Sequence, residues 1–285
     1  MDDAPFELRL PERQTTGVVF ASPHSGRAYP PALLRRSVLD DVAIRSSEDA
    51  YVDELFEAAP MFGAPFLCAV APRAWVDLNR AADELDPALI DGARRIAPNP
   101  RISSGLGVIP RVVAGGRSIY RGKLSLDEAR ERVRDVWRPY HDTLHGLLID
   151  ARLAFGRTIL VDCHSMPHEA VEGLSRDGRC PDVVLGDRFG AAAAADVVEG
   201  VEAAFAAAGL TVSRNAPFAG AYITQHYGRP ARNQHVVQVE IDRALYMDEA
   251  TLRPTAGFAP LQAALRQVVR EIAELGRPAL PLAAE

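Results

Sequence analysis

Thr158-Ile-Leu-Val-Asp-Cys-His-Ser165 is an apolar run that ends abruptly in an acid, a thiol, an imidazole and a hydroxyl. Short β-branched and aliphatic runs of this kind suit strands covered on both faces of a sheet. Open α/β sheets gather their ligands beyond the carboxyl ends of such strands. The stretch therefore predicts a buried strand that delivers His164 to a site, and the rest of the chain is read outward from it.

A second apolar run, Gly17-Val-Val-Phe-Ala21, breaks at Pro23 and places His24 in the loop leaving a strand, within Pro23-His-Ser-Gly26. Residues 45–56 read as a serine-capped amphipathic helix with Glu48 and Asp49 in its first turn, where the helix dipole alone favours acids. Residues 65–71 read as another strand. Asp77, Asn79 and Arg80 close a short strand or turn over 74–80. Residues 235–242 alternate, with Val237, Val239 and Ile241 on one face and Val236, Gln238, Glu240 and Asp242 on the other. Glu240 is thus an acid inside a buried strand, and such a carboxylate is paired, liganding or catalytic.

Between these motifs, residues 81–121 are rich in Pro, Gly and Arg with little periodicity, which predicts a substrate or lid loop. Arg111, Arg117 and Arg121 within it could reach an anion. Ser125-Leu-Asp-Glu128 is a capping-box pattern that opens a helix running to about Phe155, stopped by Gly156 and kinked at Pro139. His141 and His145 share one face of it. Residue 142 is Asp where a His-Glu-x-x-His zinc motif needs Glu, so both are read as helix-surface or packing histidines. Further on, residues 175–179 read as a turn, 182–186 and 210–214 as strands and 191–208 as a helix. The Gly/Tyr/His-rich 217–228 reads as a substrate-facing loop, and 258–275 as a closing amphipathic helix.

The 285 residues are 48% hydrophobic and 25% charged, enough for a full α/β core and read as one domain over 1–285. A formal charge of -6 with no basic stripe disfavours a nucleic-acid partner. No apolar run nears the roughly 20 residues that cross a bilayer, and the acidic start lacks the order of a signal peptide. Three irregularly spaced cysteines fit neither a disulfide framework nor a cysteine zinc site, so a cytoplasmic protein with a small-molecule partner is expected.

Two histidines and an acid at strand ends are the usual protein ligands of a catalytic zinc, with a further acid left as base. A serine triad lacks its Gly-x-Ser-x-Gly elbow, and Cys163 and His164 are adjacent in a strand and point to opposite faces.

The chain resembles the N-formylglutamate amidohydrolase family through Ser22-Pro-His-Ser-Gly26, Glu48-Asp49 before Tyr51-Val52, and Asp77-Leu-Asn-Arg80. Asp162-Cys-His-Ser165, Thr224-Gln-His-Tyr-Gly228 and Gln238-Val-Glu240 continue the series in the family's order. The resemblance implies a three-layer α/β/α fold with a central mixed, mostly parallel sheet, as in zinc exopeptidases and aspartoacylase-type deacylases. It implies Zn2+ on His24, Asp49 and His164, with Glu48 as the competing acid, and Glu240 as general base. Asn79 and Arg80 would hold substrate, joined by Arg117, His226 and Arg232 as further candidate contacts. The expected reaction is cleavage of the N-formyl or another small N-acyl amide of an acidic amino acid, by a monomer or small homo-oligomer. The alternatives are a zinc carboxypeptidase or deacylase on a larger substrate, and a non-catalytic binder. Where the family tends to have Gly-Gly-His-Ile-Thr-Arg-His-Tyr-Gly, this chain has Tyr222 and Gln225 in place of the histidine and the arginine.

Overall fold

In the computed structural model, residues 4–94, 99–174 and 180–278 are described, and the turn expected at 175–179 lies outside them. Seven strands make one sheet: β1 (Phe6–Arg9), β2 (Val18–Ser22), β3 (Phe66–Ala69), β4 (Thr158–Met166), β5 (Val183–Gly186), β6 (Val212–Arg214) and β7 (Gln234–Asp242). Their order is β1-β3-β2-β4-β7-β5-β6. The inner four, β3, β2, β4 and β7, are parallel. β1 and β5 join them antiparallel, and β6 runs parallel to β5. The sheet is mixed and mostly parallel, as the family resemblance implied.

Strand alternation divides the core in two. Val18, Phe20, Ile159, Val161, Val237, Val239 and Ile241 face one layer, packed with the helices Ala195–Ala207 and Phe258–Leu275. Val19, Ala21, Leu160 and Val236 face the other, against Tyr140, Leu144, Leu148 and Ala151 of the Arg138–Phe155 helix. Helices thus cover both faces. β4 and β7 pair in parallel register over their whole lengths, which sets His164 opposite Glu240.

Two expectations change. The helix read over 45–56 shrinks to Val52–Leu55, because Tyr51 takes a left-handed φ of 65° and breaks it on the N-terminal side. Asp49 precedes that helix, its amide N–H donating to the His24 carbonyl at 3.0 Å, so a long-range contact replaces the dipole as the reason for its place. Segment 81–121, read as a substrate or lid loop, also supplies part of the core from its described residues. Leu89, Ile90, Val108, Ile109, Val113 and Ile119 bury themselves in the second core, although its other face lines the site. Apolar residues on irregular backbone carry no period, so the burial left no pattern to read.

The Ser125 cap forms, its Oγ accepting from the Glu128 amide at 3.1 Å. Ahead of Pro139, where the sequence predicts a kink, the helix widens into a π turn over Val133–Trp137.

Candidate active site

Five of the six motifs quoted above contribute to one cavity of about 620 Å³, within the range of small-molecule sites. It opens beyond the carboxyl ends of β2, β4 and β7, lined among others by His24, Asp49, Asn79, Arg80, His164 and Glu240. Gly26 lets the loop after β2 press against its neighbour. A Cβ there would lie 2.1 Å from the Ala71 carbonyl oxygen, so this position of the Pro-His-Ser-Gly motif takes no side chain.

The protonation of His24 follows from its partners. Its Nε2 lies 2.8 Å from Asp77 Oδ1. Asp77 is itself held by Arg73 Nε at 3.0 Å and the Asn79 amide at 2.8 Å, and its carboxyl lies well below the usual range. Burial alone would raise that carboxyl, but Arg73 and His24 outweigh burial. An acceptor-only carboxylate puts the proton on Nε2, leaving a lone pair on Nδ1. That buried Nδ1 has no hydrogen-bond partner and sits 3.4 Å from Asp49 Oδ2.

His164 approaches the same oxygen from the other side, its Nδ1 2.9 Å away. Its Nε2 lies 3.1 Å from Asp162 Oδ1 and 3.2 Å from Asn79 Nδ2. Burial alone would push this imidazole down, but Asp162 first and Asp49 next hold it well above its ordinary value. Burial would likewise push Asp49 up, and the two imidazoles hold it well below the usual range. So much negative charge and so many lone pairs require a cation between them, a proton or a metal. One donor atom from each of His24, Asp49 and His164 lies within 4.8 Å of the others. Two imidazoles and a carboxylate this close are a donor set that could hold a divalent metal ion. Glu48 is turned away, bonded by Arg45 Nε at 2.9 Å and Tyr29 Oη at 3.2 Å.

Glu240 borders this cluster without joining it. Its Oε1 accepts from Gln238 Nε2 at 2.8 Å, and Gln238 Oε1 accepts from the Ala221 amide at 3.1 Å, tying the carboxylate to the 217–221 segment. Burial pushes the Glu240 carboxyl up to about 7, with His164 opposing. A carboxylate poised there can take and return a proton at neutral pH.

Asn79 Oδ1 accepts from the Ile223 amide at 2.8 Å, which fixes its Nδ2 toward His164. Arg80 donates from Nε to the Leu106 carbonyl at 2.9 Å and from Nη1 to the Asn79 carbonyl at 2.7 Å.

Three of the sequence candidates stand elsewhere. Arg117 is exposed, donates to the Ala114 carbonyl at 3.2 Å and is not part of the cavity wall. His226 and Arg232 line a second cavity of about 260 Å³ with His145, Arg152, Tyr227 and Arg229. The reason is local: residues 217–221 line the first cavity, then the Tyr222–Tyr227 helix carries the chain away from it. Gln225 is exposed on that helix and outside the first cavity, so its replacement of an arginine removes no charge there.

Conversely, Arg73 and Arg243 belong to the site and were not singled out by sequence, while Asp162 and Gln238 stood in the quoted motifs without a role. Arg243 donates from Nη2 to Asp49 Oδ1 at 2.9 Å and from Nε to Ser165 Oγ at 3.1 Å. Its position one residue after the Glu240 strand was the signal available.

Two imidazoles and a carboxylate converging beside a separate buried carboxylate, under a cavity at the ends of parallel strands, are the equipment of an α/β hydrolase. The chain belongs to the N-formylglutamate amidohydrolase family, whose model matches residues 16–247. It is 32% identical over 268 residues to an N-formylglutamate deformylase of Pseudomonas aeruginosa, covering 92% of this chain and 93% of that one. A deformylase of the same name from Pseudomonas putida is 30% identical, covering 91% and 93%. The crystal structure of an N-formylglutamate amidohydrolase from Ralstonia eutropha JMP134 superposes with a TM-score of 0.89 at 38% identity, over 96% of this chain and 99% of that one. An Agrobacterium tumefaciens gene product, Atu2144, shares the fold at 16% identity with a TM-score of 0.60, over 96% of each chain.

Proposed function

We propose that this chain is a zinc-dependent amidohydrolase that cleaves the N-formyl amide of an acidic amino acid, N-formyl-L-glutamate in the first instance, to formate and the free amino acid. The observation that carries this reading is the convergence of His24 Nδ1, His164 Nδ1 and Asp49 Oδ2 beside Glu240. The deformylase relatives supply the substrate class.

His24, Asp49 and His164 would hold the metal. When bound, zinc supplies Lewis-acid polarisation of the amide carbonyl and acidifies water. The chain's own groups do the rest. Glu240, held by Gln238, takes the proton of the attacking water and delivers it to the leaving nitrogen. Asp77 fixes the proton-bearing nitrogen of His24, and Asp162 stands 3.1 Å from Nε2 of His164. Arg80, anchored by its own backbone contacts, receives a substrate carboxylate. Residues 1–285 act as one unit, with part of the 81–121 segment as a cavity wall. Three free cysteines, two of them buried, support a reducing cytoplasmic setting.

The test is formate release from N-formyl-L-glutamate by wild type and Glu240→Gln. Rapid release by wild type, collapsing in the variant, supports the reading. No release by metal-loaded wild type rejects it.

A further inference from the structure

Four arginines line the catalytic cavity, Arg73, Arg80, Arg101 and Arg243, and they are not equivalent. Arg73 is paired with Asp77, and Arg243 with Asp49. Among the described residues, neither Arg80 nor Arg101 has an acid partner. The only other acid of the lining is Glu240, whose Oε1 accepts from Gln238 Nε2 instead. Two guanidinium groups are therefore left over in the wall of a single cavity.

One residue ties them together. The Leu106 carbonyl accepts from Arg80 Nε at 2.9 Å, and the Leu106 amide donates to the Arg101 carbonyl at 2.8 Å. Arg101 rides on the short Pro100–Ser103 helix, whose cap, Asn99 Oδ1, accepts from the Arg101 amide at 2.9 Å. Arg111 braces the segment from behind, its Nε on Asp86 at 2.8 Å and its amide on the Gly105 carbonyl at 2.8 Å. Arg80 is buried and Arg101 exposed, so one charge lies deep in the cavity and the other at its rim. They are close enough to interact: burial lowers the Arg80 pKa, Asp77 opposes, and Arg73 and Arg101 lower it further.

We infer that Arg101 is a specificity residue, forming with Arg80 a paired seat for an N-acyl amino acid that carries two carboxylates, one on each guanidinium. The inference rests on the hydrolase reading above and deepens it. A substrate with one carboxylate would leave an unpaired guanidinium beside another of the same sign. A dianion neutralises both. Charge-assisted hydrogen bonds from guanidinium to carboxylate are about twice as strong as neutral ones, and the second seat converts a general acyl-amino-acid site into one for acidic substrates.

The test compares N-formyl-L-glutamate with N-formyl-L-glutamine, which differ by one charge at nearly constant shape, on the metal-loaded protein. Wild type favours the glutamate derivative in kcat/KM. Arg101→Met lowers that preference by roughly 10- to 100-fold, as expected for losing one hydrogen-bonded charge pair. Arg101→Lys, which keeps the charge, restores part of it. An unaltered ratio in Arg101→Met, or an equal fall on both substrates, overturns the assignment, the second outcome marking Arg101 as a merely structural residue. If metal-loaded wild type hydrolyses neither compound, the hydrolase reading itself fails. If it hydrolyses both without preference, only the paired seat fails.

Discussion

His24 shows how much of the site follows from one tautomer. Asp77 can only accept, so the imidazole turns its lone pair on Asp49, and that repulsion is relieved by a cation. The sequence supplied the candidates but not this logic, because Asp77 and His24 are 53 residues apart. It also left Glu48 and Asp49 unresolved, and the structure separates them: Arg45 and Tyr29 hold Glu48, while Asp49 meets both imidazoles. Glu240 is different: strand alternation alone placed it on the polar face. Glu240→Gln keeps the shape and an acceptor for Gln238 but cannot take a proton. Turnover should fall by about 100- to 10,000-fold with metal content unchanged, read by formate release and metal analysis. Equal turnover would assign the base elsewhere. Arg80→Lys keeps the charge but loses both the planar fork and the Nε bond to Leu106. Activity on acidic substrates should drop while the metal stays bound, and unchanged kinetics would make Arg80 a structural residue.

The Arg138–Phe155 helix and the π turn before it do more than cover the sheet. Trp137 Nε1 donates to the Arg80 carbonyl at 2.9 Å, and Arg132 lies 3.4 Å above the Trp75 ring. His141 Nε2 donates to the Leu78 carbonyl at 2.9 Å, while its Nδ1 accepts from Tyr227 Oη at 2.9 Å. These contacts clamp the 75–80 turn that carries Asp77, Asn79 and Arg80. Helical periodicity told which face of this element is apolar, and Asp142 in place of a motif glutamate led His141 to be read as a surface or packing residue; it is buried in the structure. The periodicity held no information on which distant carbonyl that histidine would meet. Burial pushes the His141 imidazole down to about 3, against about 6.5 unfolded. Its neutral form is thus favoured in the fold, and the stabilisation is fully present above pH 6.5. As pH falls from there toward 3 the unfolded chain binds the extra proton, and stability drops by at most about 1.4 kcal/mol per pH unit from this group. His141→Leu should cost about 1–3 kcal/mol near pH 7 by leaving a buried carbonyl and hydroxyl unpaired. The deficit should shrink toward pH 4, as followed by urea unfolding at each pH. A pH-independent deficit would mean that His141 is not buried as the neutral imidazole.

The molecule as a whole puts its chemistry where the strand order predicts, beyond the carboxyl ends of β2, β4 and β7, with the irregular 99–116 segment and the 217–221 segment closing the sides. The strands were legible because alternation and apolar runs are local signals, and the two short motifs at the ends of β2 and β4 named the histidines. The arginine network was not, since it is assembled across the chain: Arg73 with Asp77, Arg243 with Asp49, Arg80 with Leu106. Nor was the second cavity, which took His226 and Arg232 away from the site through the exit direction of a six-residue helix. No helix among the described residues is long and apolar enough to cross a membrane. The central claim, that His24, Asp49 and His164 hold a metal on which deformylation depends, is tested most directly by metal analysis of purified wild type, His24→Ala and His164→Ala, with formate release measured before and after chelation. The account predicts about one zinc per chain in wild type, its loss in both variants, and activity that disappears on chelation and returns with zinc. Full metal retention in both variants, or undiminished formate release by the chelated protein, would contradict it.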